Sequence, residues 1–479
     1  MAHYQDAVSA EHSLSAERID VSPKSESLFR VTMLGLSGQQ VVPSAAMAAG
    51  CLPLYAGNGS WLAMLLALTA ALFMSLATNV FARKYVVTGS LISYVGLSLG
   101  RLPQRVVAAS YLTGFLIVCA SLSTSVIMFS SSFLHSVGVP FAAANWFQAV
   151  SAIVISILAG ALTWRGLDAS ISITAWLSFL SAPLVAIVAI AAASHTGVDI
   201  TAQATLEGVS LRNLAEGTIV GLAYFVGCDA LAALAAETDD PKKNVPKLLR
   251  NVLLITGFAF IGILILTTHL MGSQMDALNA GESPTAIMAN IAGMPYLQKP
   301  IDLLLASAAF ASLVAFLNYG SRVFATSATE KFLPEVFASV HPKYGSPTAA
   351  TILMAASAAV IPLALQIFAG APPLLSANYL ATLFSLFWII PYVLLSIGAI
   401  KEIFQSAEAG LLSVTAIAMG GLTFASILVY YFLIQAEGVF GWLPHIMLGM
   451  TAAAYVVLLA LERSHRRETF SLSVQDGIY

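Results

Sequence analysis

The chain has 479 residues, 58% of them hydrophobic and only 9% charged, with a formal net charge of −3. A soluble domain carries about 25% charged residues, so too little charge remains here to cover a water-facing surface, and a water-soluble globular fold is excluded. No basic, aromatic-interleaved patch points to nucleic acid, and Cys51, Cys119 and Cys228, all in or beside apolar runs, imply no disulfide framework.

Apolar runs of about twenty residues recur from end to end, the length one helix needs to cross ~30 Å of hydrocarbon. They predict an all-α polytopic membrane protein with 12 transmembrane helices, near residues 30–55, 60–82, 106–134, 146–164, 169–193, 213–236, 248–271, 300–321, 347–369, 375–400, 410–434 and 440–461. The alternating ten-residue pattern of a transmembrane barrel is absent. Residues 1–28 are polar and mixed in charge, unlike a cleavable signal peptide, and read as a mobile cytoplasmic tail, as do residues 464–479.

The first span interrupts itself with "GLSGQQVVP" at 35–43. Breaking a helix at membrane depth frees backbone groups, which is tolerable only where protein, water or a ligand satisfies them. The glycines permit a break, and Pro43 suits the first turn of a resumed helix. Freed amides near Ser37, Gly38 and Gln39 would form a positive helix terminus able to receive a carboxylate. Gln39 and Gln40 either touch a ligand or satisfy freed backbone groups. The segment 35–38 also spells the GxSG of intramembrane serine proteases, but no histidine lies at that depth to activate Ser37.

Span 6 reads "GLAYFVGCDALAALAAE" at 221–237. Carbonyls freed at Phe225, Val226 and Gly227 would suit an ammonium group or cation, and Tyr224 or Phe225 would close over the ligand. Cys228 should then face a water-filled cavity and react with polar thiol reagents faster than Cys119. Asp229, the carboxylate nearest mid-span, has two readings. A central Asp costs about 2.5–3.5 kcal/mol on insertion scales, which marks a substrate or proton group, but Asp is also a strong N-cap for the "ALAALAAE" that follows. Glu237 and "TDDPKK" read as the cytoplasmic end of this span, with an ion-pair gate as the alternative. In span 8, Ser307 and Ser312 are weak candidates for a sodium site. His135, His195, His269 and His445 fall at the outer face, as solvated or capping groups, with an outside pH sensor as the alternative.

With the N-terminus inside, 19 of the 21 Lys and Arg residues fall on the cytoplasmic side, leaving only Arg212 and Lys299 outside. Cytoplasmic loops retain Lys and Arg, so both termini are predicted to be cytoplasmic in a multi-pass protein of the cell (plasma or inner) membrane. The two interrupted spans are five apart, an odd number, so a second unit starting at span 6 is inverted relative to the first. The predicted organisation is a 5+5 inverted repeat with broken helices 1 and 6 (29–208 and 209–403), then two peripheral helices (404–463) and the tail 464–479. Such paired interruptions are the sequence pointer to a transporter's binding site.

Three stretches carry a family resemblance: "FVGCDALAALAAETDDPKKNVP" (225–246), "FARKYVVTGSLISYVGLSLG" (81–100) and "NYGSRVFATSATEKFLPEVFASVHPKYGSPTAA" (318–350). In this order they resemble the amino acid–polyamine–organocation (APC) superfamily of permeases across roughly residues 30–400. The resemblance implies a leucine-transporter-type fold in which spans 1, 2, 6 and 7 rock against 3, 4, 8 and 9. Leu36 stands where the family's leading glycine would be, and Gln39-Gln40 replace its apolar pair. Span 5 lacks the lysine of some proton-coupled members, with Ser181 near that place.

The expected function is secondary active transport of an amino acid, related amine or polyamine by alternating access, coupled to H+ or Na+. The alternative is a sensor on the same fold that binds without net transport. The expected substrate site is Ser37, Gly38, Gln39, Tyr224, Phe225, Val226, Gly227 and Asp229. No catalytic residue, cofactor or resident metal is expected; the partners are the small-molecule substrate and the lipid bilayer, and the oligomeric state is not legible.

Overall fold

The structure is a computed structural model describing residues 26–166, 176, 179–279, 283–369, 373–406, 410–433 and 439–475. Among the described residues the backbone is helical, and extended pairing is confined to two isolated bridges, Glu26 with Thr238 and Val340 with Pro347. Residues 1–25 of the predicted tail, residues 476–479 and much of the fifth span lie outside the described residues.

Ten helical segments are long and apolar enough to cross a membrane. Two of the twelve expected spans are not separate segments among these ten. The first segment, Leu28–Ala82, runs for 55 residues, about 80 Å if straight at 1.5 Å per residue, and it is interrupted twice. It comprises α1 (Leu28–Gly38), α2 (Val41–Ala56) and α3 (Ser60–Ala82), with Gly57 at φ +49° turning the chain between the last two. The fifth predicted span is described as the 15-residue α7 (Ala182–Thr196), with Pro183 in its first turn. It therefore enters as a shorter apolar helix.

The remaining helices follow from local signals. Gly100 at φ +90° separates α4 (Leu91–Leu99) from the 36-residue α5 (Arg101–Ser136). After α6 (Asn145–Trp164), Asp199 caps α8 (Ile200–Thr205) by accepting from the Ala202 N–H at 2.9 Å. Ser210 and Asn213 form a capping box at the start of α9 (Leu211–Ala223). Asp240 in the left-handed region and Pro241 at the first helical position open α10 (Pro241–Gly272). Then come α11 (Met275–Asn279), α12 (Pro284–Ile291), α13 (Gln298–Thr329), α14 (Thr348–Ala369), α15 (Pro373–Ser406), α16 (Leu411–Leu433) and α17 (Val439–Gln475). The last helix continues past residue 463 into the stretch read as a tail, because "SHRRETFSLSVQ" contains no Gly or Pro to stop it.

Burial separates the inside of this bundle from its outside. In α5 the most apolar stretch is 83% buried, and in the segments holding α9 and α13 it is 72%; in α6, α14, α16 and α17 it is 28–33%. The central α5 packs against α13, α14, α15 and α17. The chain therefore wraps α5, α13 and the interrupted segment Leu211–Glu237 in helices that face outward.

Candidate functional site

Span 1 breaks over two residues. Helix α1 ends at Gly38, Gln40 takes a left-handed conformation (φ 49°, ψ 43°), and α2 starts at Val41 with Pro43 in its first turn. The break is tighter than expected. Ser37 and Gly38 still belong to α1, the Gln39 N–H donates to the Gly35 carbonyl at 3.0 Å and the Gln40 N–H to that of Ser37 at 3.0 Å. The predicted amides are thus occupied. The donors left over are those of Val41 and Val42, at the start of α2, where a helix has no intrahelical acceptor. The Ser37 hydroxyl bonds the Met33 carbonyl at 3.0 Å, and the Ser37 carbonyl accepts from the Ser312 hydroxyl of α13. Ser307, by contrast, is half-buried and bonds its own helix at the Leu303 carbonyl, at 2.9 Å.

Span 6 breaks more extensively. Helix α9 stops at Ala223, Gly227 sits at φ +90°, and Cys228–Glu237 continues as a ten-residue 3-10 helix. Runs of 3-10 helix beyond three or four residues are uncommon and mark strain or a hinge. Glycine is needed at both breaks. A Cβ on Gly38 would lie 2.1 Å from the Tyr319 hydroxyl, and one on Gly227, besides the strained φ, 3.1 Å from the Phe316 ring.

The two breaks meet through Gln39. In the amide orientation that satisfies both groups, its Nε2 donates to the Tyr224 carbonyl at 3.2 Å and its Oε1 accepts from the Cys228 N–H at 3.1 Å. Gln39 therefore satisfies freed backbone of span 6. Of the three carbonyls expected to be free, that of Gly227 accepts from the Ala230 N–H at 3.1 Å and that of Phe225 from the Cys228 N–H at 3.4 Å. Val226 keeps the open carbonyl.

A cavity of about 240 Å³ lies against both breaks, smaller than the roughly 300–1,000 Å³ of drug-sized pockets. Of the predicted residues, Gly38, Gln39, Tyr224 and Val226 line it; Ser37, Phe225, Gly227 and Asp229 do not. Phe225 is 2% exposed and packs on Phe260 of α10 with ring centroids 5.7 Å apart. Sequence reasoning missed the opposite wall, where Ser121 and Ser125 of α5 face Phe384 and Ser385 of α15. Small hydroxyls are common throughout these helices, so no local signal distinguished those serines.

Asp229 does not cap the 3-10 helix, whose N-cap is Gly227. Its buried carboxylate accepts from the Tyr111 hydroxyl of α5 at 2.6 Å, and from the Tyr392 hydroxyl at 2.5 Å and Trp388 Nε1–H at 3.1 Å, both on α15. Tyr392 also accepts from the Gly227 N–H at 3.2 Å, and the Ser90 hydroxyl donates to the Asp229 carbonyl at 3.1 Å. The broken span is thereby tied to α5 and α15. A readable signal existed: Trp388 and Tyr392 are four residues apart on one helix face, and buried Trp and Tyr tips need partners.

Cys228 is 3% exposed, with its thiol directed at the Leu249 carbonyl of α10 at 3.9 Å, and it borders only a void of about 20 Å³ beside Asp229. The expectation that it opens onto water is corrected, because the 3-10 winding turns its side chain toward α10. Cys51 of α2 lines the larger cavity instead.

At the far end of the 3-10 helix, Glu237 forms a buried two-bond pair with Arg322 of α13, through Nε to Oε1 and Nη2 to Oε2 at 2.9 Å. Arg322 Nη1 also donates to the Asn318 carbonyl at 2.6 Å. The Glu26 N–H donates to the Glu237 carbonyl at 2.7 Å, and the Asp239 N–H to that of Glu26 at 3.0 Å, so the segment before α1 covers this end.

Comparison with known proteins agrees with this architecture. An uncharacterized transporter of Mycobacterium tuberculosis is 25% identical over 312 residues, 64% of this chain, and the chain spans 66% of that relative's length. A branched-chain amino acid permease of Bacillus subtilis is 22% identical over 334 residues, covering 67% of this chain and 71% of the relative. An L-asparagine permease of Salmonella typhimurium is 28% identical over 99 residues, 21% of this chain and 20% of that protein. The family model described as amino acid permease matches residues 27–459. With two broken spans around one cavity and that match across nearly its whole length, the chain belongs to the amino acid permease family, within the APC superfamily.

Proposed function

We propose that this chain moves an amino acid across the cell membrane by alternating access, with the substrate held in the cavity between the two breaks. The observation that carries this reading is the meeting of both broken spans at one small cavity, through Gln39. The substrate carboxylate lies at the start of α2, near the Val41 and Val42 amides and the Gln40 side chain, where the helix dipole favours an anion. Its ammonium group lies at the Val226 carbonyl, and Tyr224 closes the site. Ser37, Gly227 and Asp229 hold the breaks in shape, and Phe225 anchors span 6 to α10.

The twelve-span, 5+5 inverted organisation is part of the proposal. Taking Leu28–Ala82 as two crossings, and α7 as the described part of another, brings the ten segments to twelve. A cross-pairing supports the inversion: a hydroxyl of span 8 (Ser312) holds broken span 1, and a hydroxyl of span 3 (Tyr111) holds broken span 6. Those pairs exchange under a repeat that relates span 1 to 6 and 3 to 8.

Transport is tested in proteoliposomes. Labelled amino acid is expected to accumulate above the external concentration under an imposed H+ or Na+ gradient, whereas saturable binding with no accumulation would indicate a sensor. Orientation is tested with a charged, impermeant maleimide outside intact cells. It is expected to modify Cys51, near the outer end of span 1, well before the buried Cys119 and Cys228, and Cys51→Ser should remove that labelling. Modification of Cys51 only from the inner face would reverse the proposed topology.

A further inference from the structure

Among its described lining residues the cavity holds no Asp, Glu, Lys, Arg or His. Two carboxylates stand close to this lining and both are engaged: Asp229 borders the adjoining small void and its two oxygens accept three hydrogen bonds, while Glu216 of α9 pairs with Arg212 at 2.8 Å and accepts from the Tyr430 hydroxyl at 2.8 Å. The polar lining that remains is neutral: glutamine amides, the Cys51 thiol, tyrosine hydroxyls such as that of Tyr55, and the hydroxyls of Ser44, Ser121, Ser125, Thr382 and Ser385. A zwitterion's two charges would meet only backbone dipoles and these neutral groups. Beyond them the wall is apolar, with Leu122, Phe316, Phe384, Ile389 and Phe424 from four different helices.

From this lining we infer the substrate class: neutral amino acids with apolar side chains, to the exclusion of cationic and anionic amino acids and of polyamines. The inference rests on the proposed transport site and deepens it. A third charge brought into the cavity, or a polyamine's second ammonium where the carboxylate belongs, would find no counter-charge, and a charge buried without a partner costs several kcal/mol. Since each 1.4 kcal/mol is tenfold, charged amino acids should bind at least about 100-fold more weakly. The selectivity comes from what the wall lacks, so a single added carboxylate should alter it. Ser125 of α5 is the place to add one, because it lines the cavity and its hydroxyl bonds only the Ser121 carbonyl, at 3.1 Å.

The experiment is a thermal-shift titration of the purified full-length chain with leucine, valine, phenylalanine, asparagine, lysine, arginine, glutamate and putrescine, since a ligand of the native state raises its apparent stability. Leucine, valine or phenylalanine should raise the melting temperature, while lysine, arginine, glutamate and putrescine should give no shift at about 100-fold higher concentration. Ser125→Asp should gain a lysine response and lose at least about tenfold in leucine affinity. Lysine, glutamate or putrescine acting within tenfold of leucine would overturn the inference and leave amino acid transport standing. Asparagine acting while leucine, valine and phenylalanine do not would overturn its apolar part. No response to any amino acid would remove the transport reading itself, and the inference with it. If Ser125→Asp does not fold, the wild-type panel decides alone.

Discussion

Replacing Arg322 with alanine is expected to lower the stability of the purified protein by about 3–5 kcal/mol, the range seen when one partner of a buried ion pair is removed. Arg322 is 4% exposed and Glu237 3%, so water cannot take over the stranded carboxylate. The guanidinium also holds the Asn318 carbonyl through Nη1, a bond that alanine cannot make. Glu237→Gln should cost less than Arg322→Ala, because the amide keeps one acceptor for the fork, although Arg322 then stays charged without its counter-ion. Exchanging the pair, Glu237→Arg with Arg322→Glu, should recover part of the loss, which a packing effect alone would not. Chemical or thermal melts of the four proteins in one detergent check this. An Arg322→Ala protein within about 1 kcal/mol of wild type would show that the pair contributes little.

Asp229→Ala is the second large effect expected. It strands the Tyr111 hydroxyl, the Tyr392 hydroxyl and the Trp388 indole N–H in a dry interior, where each unsatisfied group costs about 1–3 kcal/mol. Misfolding or failure to purify is the expected outcome. Asp229→Asn keeps an oxygen for Trp388 and Tyr392 and turns an amide toward Tyr111, which can accept from it, so the variant should fold. Because the carboxylate borders the small void and not the main cavity, substrate affinity of the Asn variant should stay within about threefold of wild type. A fall of tenfold or more in affinity, in a protein that melts normally, would assign the carboxylate a direct contact with substrate.

Membrane insertion, the helical class, the positions of both breaks and the family resemblance were legible in the chain. Each of these is written locally. An apolar run of about twenty residues has few stable alternatives to a spanning helix in lipid, and a Gly-Gln-Gln-Pro-type interruption announces a break wherever the helix sits. The resemblance at 225–246 was likewise a local pattern, and the family match runs over 27–459.

What only the tertiary structure decided was where each freed group finds its partner. One of the two readings of Asp229, the cap, assumed that an α-helix follows it; a 3-10 helix follows instead, and the carboxylate meets Tyr111, Trp388 and Tyr392, residues 118 to 163 positions away. Cys228 turned away from the cavity for the same reason. Gln39 and Gln40 were indistinguishable as neighbours, yet the left-handed turn at Gln40 sends the first to the span 6 backbone and leaves the second facing the cavity. The uncharged character of that cavity is likewise a property of seven helices together. A break can be read from spacing within one helix, but the partner of a freed group depends on how distant helices are rotated, and that rotation is set by packing across the whole bundle.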